Sequence, residues 1–474
     1  MYYFSIMQKI LKVLALLLVI GITMTKAQVS VKFTVKNSDY KQAFFCSVSG
    51  LKLNVIGAKK MKANSVEFKF PSLPIGIYRI FMTDSAYVDF VVDRDKDIEL
   101  ETSSPMLTDS MKVLKGEDNK TYYNYLHFKN REIFKLATVL RIIKPETTKK
   151  QNPVAEERSS FVKGCVTFRI QQYADSIISR DSSLFVSKVI KAMLIPNLNL
   201  WQLNHPTIVK YNNDIEFLLV HFFDNLDFAD SAMIHTEFLY RTVSYYIEKL
   251  AMPRNVTGFN IANDMILKKA SANKSVYKYT LSLLFDIYAK TQLEDVFVKL
   301  FDDYLSKDTT MISSEKLAGY KNHIKLIKSL AKGQNAPDIS GRDTTGKEIN
   351  LGSVKSTITL LLLWTSGAKN SEDAVLQLNE LYTKYKDYGL RIYAVALDTN
   401  EAQWKASLRK LKPEWTNVID TLAFKGKIPK LYDTWSLPSL YIMDNKHVLA
   451  AKPLNVDYVK KEFDSAFKDK KAEK

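Results

Sequence analysis

Across residues 28–104 apolar and polar side chains alternate in short runs. Val29-Ser30-Val31-Lys32-Phe33-Thr34-Val35 keeps a strict period of two, and so does Ser65-Val66-Glu67-Phe68-Lys69-Phe70. That period belongs to strands with one buried face. Gly76–Ile80, Tyr87–Val92 and Asp97–Leu100 follow at short spacing, which predicts a small all-β domain of sandwich or meander type. Phe44-Phe45-Cys46-Ser47-Val48 reads as one more strand, with Phe44, Cys46 and Val48 on a common face. Cys46 is therefore expected as a small buried core thiol.

From 105 to 332 the period changes to that of helices. They are expected from Tyr122 to Ile143 and at 160–178, 183–194, 213–223, 236–251, 259–271, 275–290, 294–306 and 313–332. Phe297, Leu300, Phe301 and Tyr304 show the spacing of an amphipathic face. Lys144–Ser159 is polar with two prolines and reads as an exposed loop. Cys165 falls in the 160–178 helix and would meet Cys46 only if the two regions dock there.

The pattern changes again at Gly333. A hairpin signal, Asp343-Thr344-Thr345-Gly346-Lys347-Glu348-Ile349-Asn350-Leu351, precedes the apolar run Ile358–Trp364. Such a run suits a central strand buried on both faces. A helix is expected over Glu372–Tyr388, a second buried strand over Arg391–Asp398, and a second helix from Glu401. A strand pair (Ser439–Asp444 and His447–Ala451) and a last helix from Val456 to Lys468 complete a three-layer α/β order. The whole is expected to be a multidomain α+β protein. It would comprise a β-domain at 28–104, an all-α domain at 105–332 and an α/β domain at 333–474.

The front of the chain reads as an address. Lys9 and Lys12 precede the apolar run Val13–Ile22, and Thr25-Lys26-Ala27 ends on a small residue. This predicts a secretory signal peptide over 1–27, cleaved near Ala27, and a periplasmic or otherwise exported protein. Cleavage would lower the formal charge from +17 to about +14. The basic residues are scattered, apart from a short mixed tail over Lys468–Lys474. The expectation is a solvated basic surface, open to peripheral contact with anionic lipid, and not a nucleic-acid site. Fifteen glycines argue against glycine-rich phosphate loops, and two cysteines exclude a disulfide-dense scaffold and any four-cysteine zinc site.

The elements from Gly333 onward resemble the thioredoxin-like family. The resemblance is carried by Ala336-Pro337-Asp338-Ile339, the 343–351 hairpin, Leu360–Ser366, Leu381-Tyr382 and Trp435–Asp444. The nearest branch is the exported thiol–disulfide oxidoreductases and their peroxidase-like relatives. The resemblance implies a thioredoxin-like fold and a CxxC motif at a helix start. There the helix dipole stabilises an attacking thiolate and a second cysteine resolves the mixed disulfide. With Trp364 and Leu381-Tyr382 fixing the register, Ala368-Lys369-Asn370-Ser371 stands at that motif. Ala368 takes the attacking position and Ser371 the resolving one. No cysteine occurs from Gly333 to Lys474. Asn370 or Ser371 is expected to cap the helix, with Glu372 and Asp373 complementing its positive end. Leu437-Pro438-Ser439 matches the family's cis-proline loop, whose backbone pairs with an extended peptide. Leu376 stands where the family usually has a kinking proline.

Other chemistry is sparse. Six histidines, at 127, 205, 221, 235, 323 and 447, show no metal-ligand spacing, and no cofactor or metal is expected. His221 and Asp224 are a candidate acid–base pair, set against a capped helix junction in which Asp224 or Asn225 satisfies helix-end amides. The segment around them resembles an uncharacterised helical domain found ahead of thioredoxin-like domains. The leading expectation is a redox-inactive thioredoxin-like protein that binds a protein or peptide in the cell envelope. A cross-domain redox role for Cys46 and Cys165, and an enzyme of another class in the helical region, are the alternatives.

Overall fold

The computed structural model describes residues 29–143, 153–208, 210–289, 291, 293–434 and 437–466. The signal peptide and its cleavage site, residues 144–152 of the expected loop, and the basic tail lie outside them. The chain forms two compact units. One runs to Pro253 and includes Asp264–Thr280; the other holds Arg254–Asn263 and everything from Leu281.

The first unit opens with strands β1 (Val29–Lys36), β2 (Gln42–Ser49), β3 (Lys52–Lys60), β4 (Ser65–Phe70), β5 (Gly76–Thr83), β6 (Ala86–Val92), β7 (Asp97–Ser103) and β8 (Lys112–Lys115). They form two four-stranded sheets, ordered β4-β1-β7-β8 and β3-β2-β5-β6. Phe45 of one sheet meets Phe68 and Phe70 of the other at ring-centroid distances of 5.2 and 4.7 Å. The alternation in β2 is broken by a bulge between Phe45 and Cys46. Ala43 and Phe45 therefore face the core before the bulge, Cys46 and Val48 after it, and Phe44 is only half-buried. An inserted residue shifts the phase of the strand by one position. Cys46 is buried as expected, and burial pushes its thiol up to about 12.

Arg79 and Asp89 pair across β5 and β6 through two parallel bonds of 2.6 and 2.7 Å, and the Arg79 guanidinium lies 3.9 Å over the Tyr87 ring. Asp89→Ala is expected to destabilise this unit by ~3 kcal/mol, because it leaves a covered guanidinium without its acceptor. The value sits at the low end for such pairs because 18% and 23% of the two side chains remain accessible. Urea unfolding measures it, and the paired change Arg79→Met with Asp89→Leu should lose less.

Helices follow: α1 (Glu117–Ile143), α2 (Pro153–Ile178), α3 (Phe185–Ala192), α4 (Leu198–Asn204), α5 (Asp214–His221), α6 (Phe238–Tyr245), α7 (Val256–Ala270), α8 (Lys274–Tyr288), α9 (Glu294–Leu300) and α10 (Ser314–Ser329). α1 starts five residues before Tyr122. Its Asn119 accepts from the Val91 N–H and donates to the Val91 carbonyl, at 2.9 and 2.8 Å, as a neighbouring strand would. α2 begins inside the stretch read as loop, and α4 and β8 were not expected.

The second unit is built on a seven-stranded sheet. Its strands are β9 (Ser340–Arg342), β10 (Glu348–Asn350), β11 (Ile358–Trp364), β12 (Leu390–Ala396), β13 (Thr416–Ile419), β14 (Ser439–Met443) and β15 (Leu449–Ala451), in the order β10-β9-β13-β12-β11-β14-β15. Between and after them come α11 (Lys369–Tyr385), α12 (Glu401–Leu411), α13 (Ile428–Leu431) and α14 (Val456–Ala466). β11 lies inside the sheet between two neighbours, parallel to β12 and antiparallel to β14. Leu360, Leu362 and Trp364 pack with residues of α11, α12 and α14. Leu361 and Leu363 pack on the opposite face with Ile339, Tyr432 and Leu330. An unbroken apolar run is what two buried faces require.

Candidate functional site

β11 delivers the chain to the site. After Trp364 the backbone turns at Gly367, whose φ of +78° favours glycine, and a Cβ there would strike the Gln403 amide. The Ser366 N–H donates to Asp398 Oδ2 at 2.8 Å, and the Gly367 N–H donates to Glu372 Oε1 at 3.2 Å. Glu372 Oε1 also accepts from Ser407 Oγ at 3.0 Å, while Oε2 accepts from Lys410 Nζ at 2.8 Å. These bonds, led by Lys410 and opposed by burial, hold the Glu372 carboxyl below the ordinary carboxylate range. Burial pushes Asp398 the other way, against the bond it accepts from the Ser366 N–H.

Because Glu372 is depressed in the fold, its contribution to stability is present above the unfolded value near pH ~4.3 and is lost as pH falls through the folded value. Glu372→Gln should therefore cost about 1 kcal/mol at neutral pH. That difference should shrink below about pH 4, read from denaturant titrations at several pH values.

α11 begins at Lys369, earlier than the expected Glu372. Ala368 precedes its first turn in an extended conformation and has no capping side chain. Neither Asn370 nor Ser371 caps the helix. Asn370 Nδ2 reaches across to donate to the Leu437 carbonyl at 2.8 Å. Ser371 is fully buried, and its Oγ takes the Thr365 N–H at 3.5 Å. Ala368 stays partly exposed, and the Lys369 side chain points to solvent.

The Leu437–Pro438 bond is cis. Ser439, next in the chain, is buried and donates from Oγ to the Asp433 carbonyl at 2.9 Å. The Asp433 N–H donates to Tyr441 Oη at 3.1 Å. Lys452 lies 3.6 Å from Asp433 Oδ2 and is bonded to Glu294 of α9. No motif in the sequence marks Glu294 or Lys452 as anchors of this loop.

The family comparisons bear on this region. The model of the AhpC/TSA family matches residues 332–452. These residues are an AhpC/TSA-family thioredoxin-like domain. Its curated relatives include a thiol–disulfide oxidoreductase ResA of Bacillus cereus, 28% identical over 125 residues. That match spans 26% of this chain and 70% of the relative. Another Bacillus cereus ResA is 32% identical over 113 residues, 24% of this chain and 63% of that protein. Among solved structures, a thioredoxin-like protein from Bacteroides caccae covers 56% of this chain and 96% of its own, at 18% identity and a TM-score of 0.41. The thioredoxin-like domain here contains no sulfhydryl, since the two cysteines of the chain are Cys46 and Cys165, both free.

In the first unit His221 and Asp224 do come together. His221 Nδ1 lies 2.6 Å from Asp224 Oδ2, and Nε2 shares a hydrogen bond of 2.8 Å with Tyr211 Oη. Asp224 thus bonds the histidine and does not cap the helix, while the Asn225 amide donates to the Leu194 carbonyl. Phe217 stacks on the imidazole at 4.6 Å, and the Trp201 ring lies 5.4 Å away. Both ring nitrogens are engaged by protein groups, and the arrangement binds α4, α5 and the turn after α5 into one aromatic cluster. Tyr211, ten residues upstream of His221, carries no sequence signal for this role. Among the described residues no three His, Cys, Asp or Glu side chains gather as a metal site would need.

Proposed function

We propose that the thioredoxin-like domain has given up thiol–disulfide exchange and that the protein is an exported binding protein of the cell envelope, recognising a protein or peptide partner. One observation carries this reading. The helix start that would present the attacking and resolving sulfurs carries Ala368 and Ser371, and an alanine methyl and a buried hydroxyl cannot cycle through a disulfide. The exposure of Ala368 and the burial of Ser371 agree with those two roles. The contact between Asn370 and Leu437 fits the same reading. In a peptide-binding loop the carbonyl before the proline accepts from an incoming strand, and here a side-chain amide already holds one of its two acceptor directions. A partner would share that carbonyl or displace Asn370. Export rests on the leader read from Met1–Ala27.

The test has two arms. Insulin reduction by dithiothreitol should proceed at the same rate with and without the protein; an acceleration abolished by Cys165→Ser would sink the redox-inactive reading. Capture of partners from envelope extract should differ between the wild type and the Pro438→Ala and Asn370→Ala variants, and identical capture by all three would remove the groove as the binding site.

A further inference from the structure

α1 and α2 are consecutive long helices of 27 and 26 residues, each about 40 Å long. They pack against one another as an antiparallel hairpin, and only one end of it is covered. Tyr122, Tyr123 and Tyr125 of α1 and Ala174 and Ile177 of α2 are buried, and Phe128 stacks on Tyr173 at 4.2 Å. Beyond that point no residue from 133 to 143 or from 160 to 170 is buried. Large apolar side chains nevertheless occupy this outer part. Phe134, Ile142 and Phe161 are 74%, 75% and 72% exposed, and Val154 is 55% exposed. Val154, Phe161 and Phe168 recur every seven residues and so line one side of α2. Arg158, one turn from both Val154 and Phe161, and Arg169 stand beside that line. Large apolar side chains exposed together at one end of a hairpin point to an interaction surface.

The charge says by what. Over the outer hairpin Arg131, Lys135, Arg141, Arg158, Lys163 and Arg169 outnumber Glu132, Glu156 and Glu157. Glu132 is already committed to Arg131, Lys135 and Arg169. The remaining field is positive. A second copy laid on the same face would bring like charges together, whereas an anionic surface is attracted by them. Arginine side chains, whose long apolar stems lie along the surface while the charge reaches outward, suit contact with an anionic headgroup layer. No helix among the described residues is long and apolar enough to cross a membrane, so contact would be with the surface. We propose that the outer half of the α1–α2 hairpin is a peripheral docking surface for anionic lipid, seated through Phe134, Ile142, Val154 and Phe161 and steered by the flanking basic residues. This proposal is independent of the thioredoxin-like domain.

Flotation of the full protein, recovered after export, with phosphatidylglycerol-containing vesicles tests it. Binding should be at least about tenfold stronger than to phosphatidylcholine vesicles and should weaken with added salt. The double variant Phe134→Ser with Phe161→Ser should lose about tenfold in binding. Its thermal unfolding should be unchanged, because both side chains are exposed. Failure to bind anionic vesicles overturns the proposal, as does equal binding by the variant. A concentration-dependent dimer that the same variant abolishes, without vesicle binding, assigns the patch to a second copy and overturns it too.

Discussion

Placing cysteine at both 368 and 371 should give this domain thiol–disulfide exchange. The double variant is expected to hold an intramolecular disulfide after mild oxidation and to accelerate insulin reduction, from no effect to a clear multiple of the dithiothreitol rate. The reasons are local. Ala368 sits at the amino end of α11 with no side chain capping the first turn, so a thiolate there would meet unsatisfied amides and the positive end of the helix dipole. Its thiol should titrate below the ordinary ~8.5, measured by thiolate absorbance against pH. Position 371 lies one turn later and inside, the place for a resolving sulfur that waits for the mixed disulfide. Two features work against a fast enzyme. Glu372 brings a carboxylate, held ionised by Lys410, to the same helix end. The Asn370 amide occupies the Leu437 carbonyl on the opposing loop. Adding Asn370→Ala to the double variant should therefore raise its rate further. Two free thiols after oxidation, with no exchange, would show that 368 and 371 do not stand where the sulfurs of the family stand.

Much of the second unit is legible because its inner strands β11, β12 and β14 are buried on both faces, whereas the short, half-covered β13 and the one-turn α13 carry no such run and are not expected from the sequence. A continuous apolar run as short as Ile358–Trp364, bounded by polar residues, suits a doubly covered strand better than a helix. The hairpin at 343–351 carries its own turn chemistry. The sequence places the helix start three residues late because it offers polar residues at 370 and 371 that look like caps. In the fold their side chains are drawn to Leu437 and Thr365, and the extended residue before the helix is an alanine. Such long-range competition is invisible to a local pattern. In the first unit β3 leaves no signal in the sequence because it has no buried face: Lys52–Lys60 is an edge strand whose residues are exposed or half-exposed, so no alternation is selected. The bulge in β2 put Phe45 and Cys46 both inside, which a strict period of two cannot express. His221 and Asp224 were readable as a pair from their spacing of three, and Tyr211 was not, because the turn that returns it to His221 is set by packing among Trp201, Phe217 and Tyr211.

Trp364→Ala should be the most damaging single substitution in the thioredoxin-like domain, at ~4 kcal/mol, within the range for emptying a fully buried aromatic site. Trp364 closes β11, has no accessible surface, and packs with the α11 and α12 face of the core. Its carbonyl also receives the Leu397 N–H at 2.8 Å, so the strand end is pinned where the chain turns toward Ser366 and Gly367. Collapse into the vacated space would pull on that turn. The indole N–H finds no acceptor among the described residues, and the ring contributes through its packing. Trp364→Phe removes that unpaired donor along with part of the ring, and should cost only about 1–2 kcal/mol. Chemical denaturation of the two variants separates these values, and equal losses would mean that the N–H has a partner after all. In the background with cysteines at 368 and 371, Trp364→Ala should slow exchange even at temperatures where the variant remains folded. The helix start is aimed by the strand beneath it, and a site one turn long tolerates little displacement of its floor.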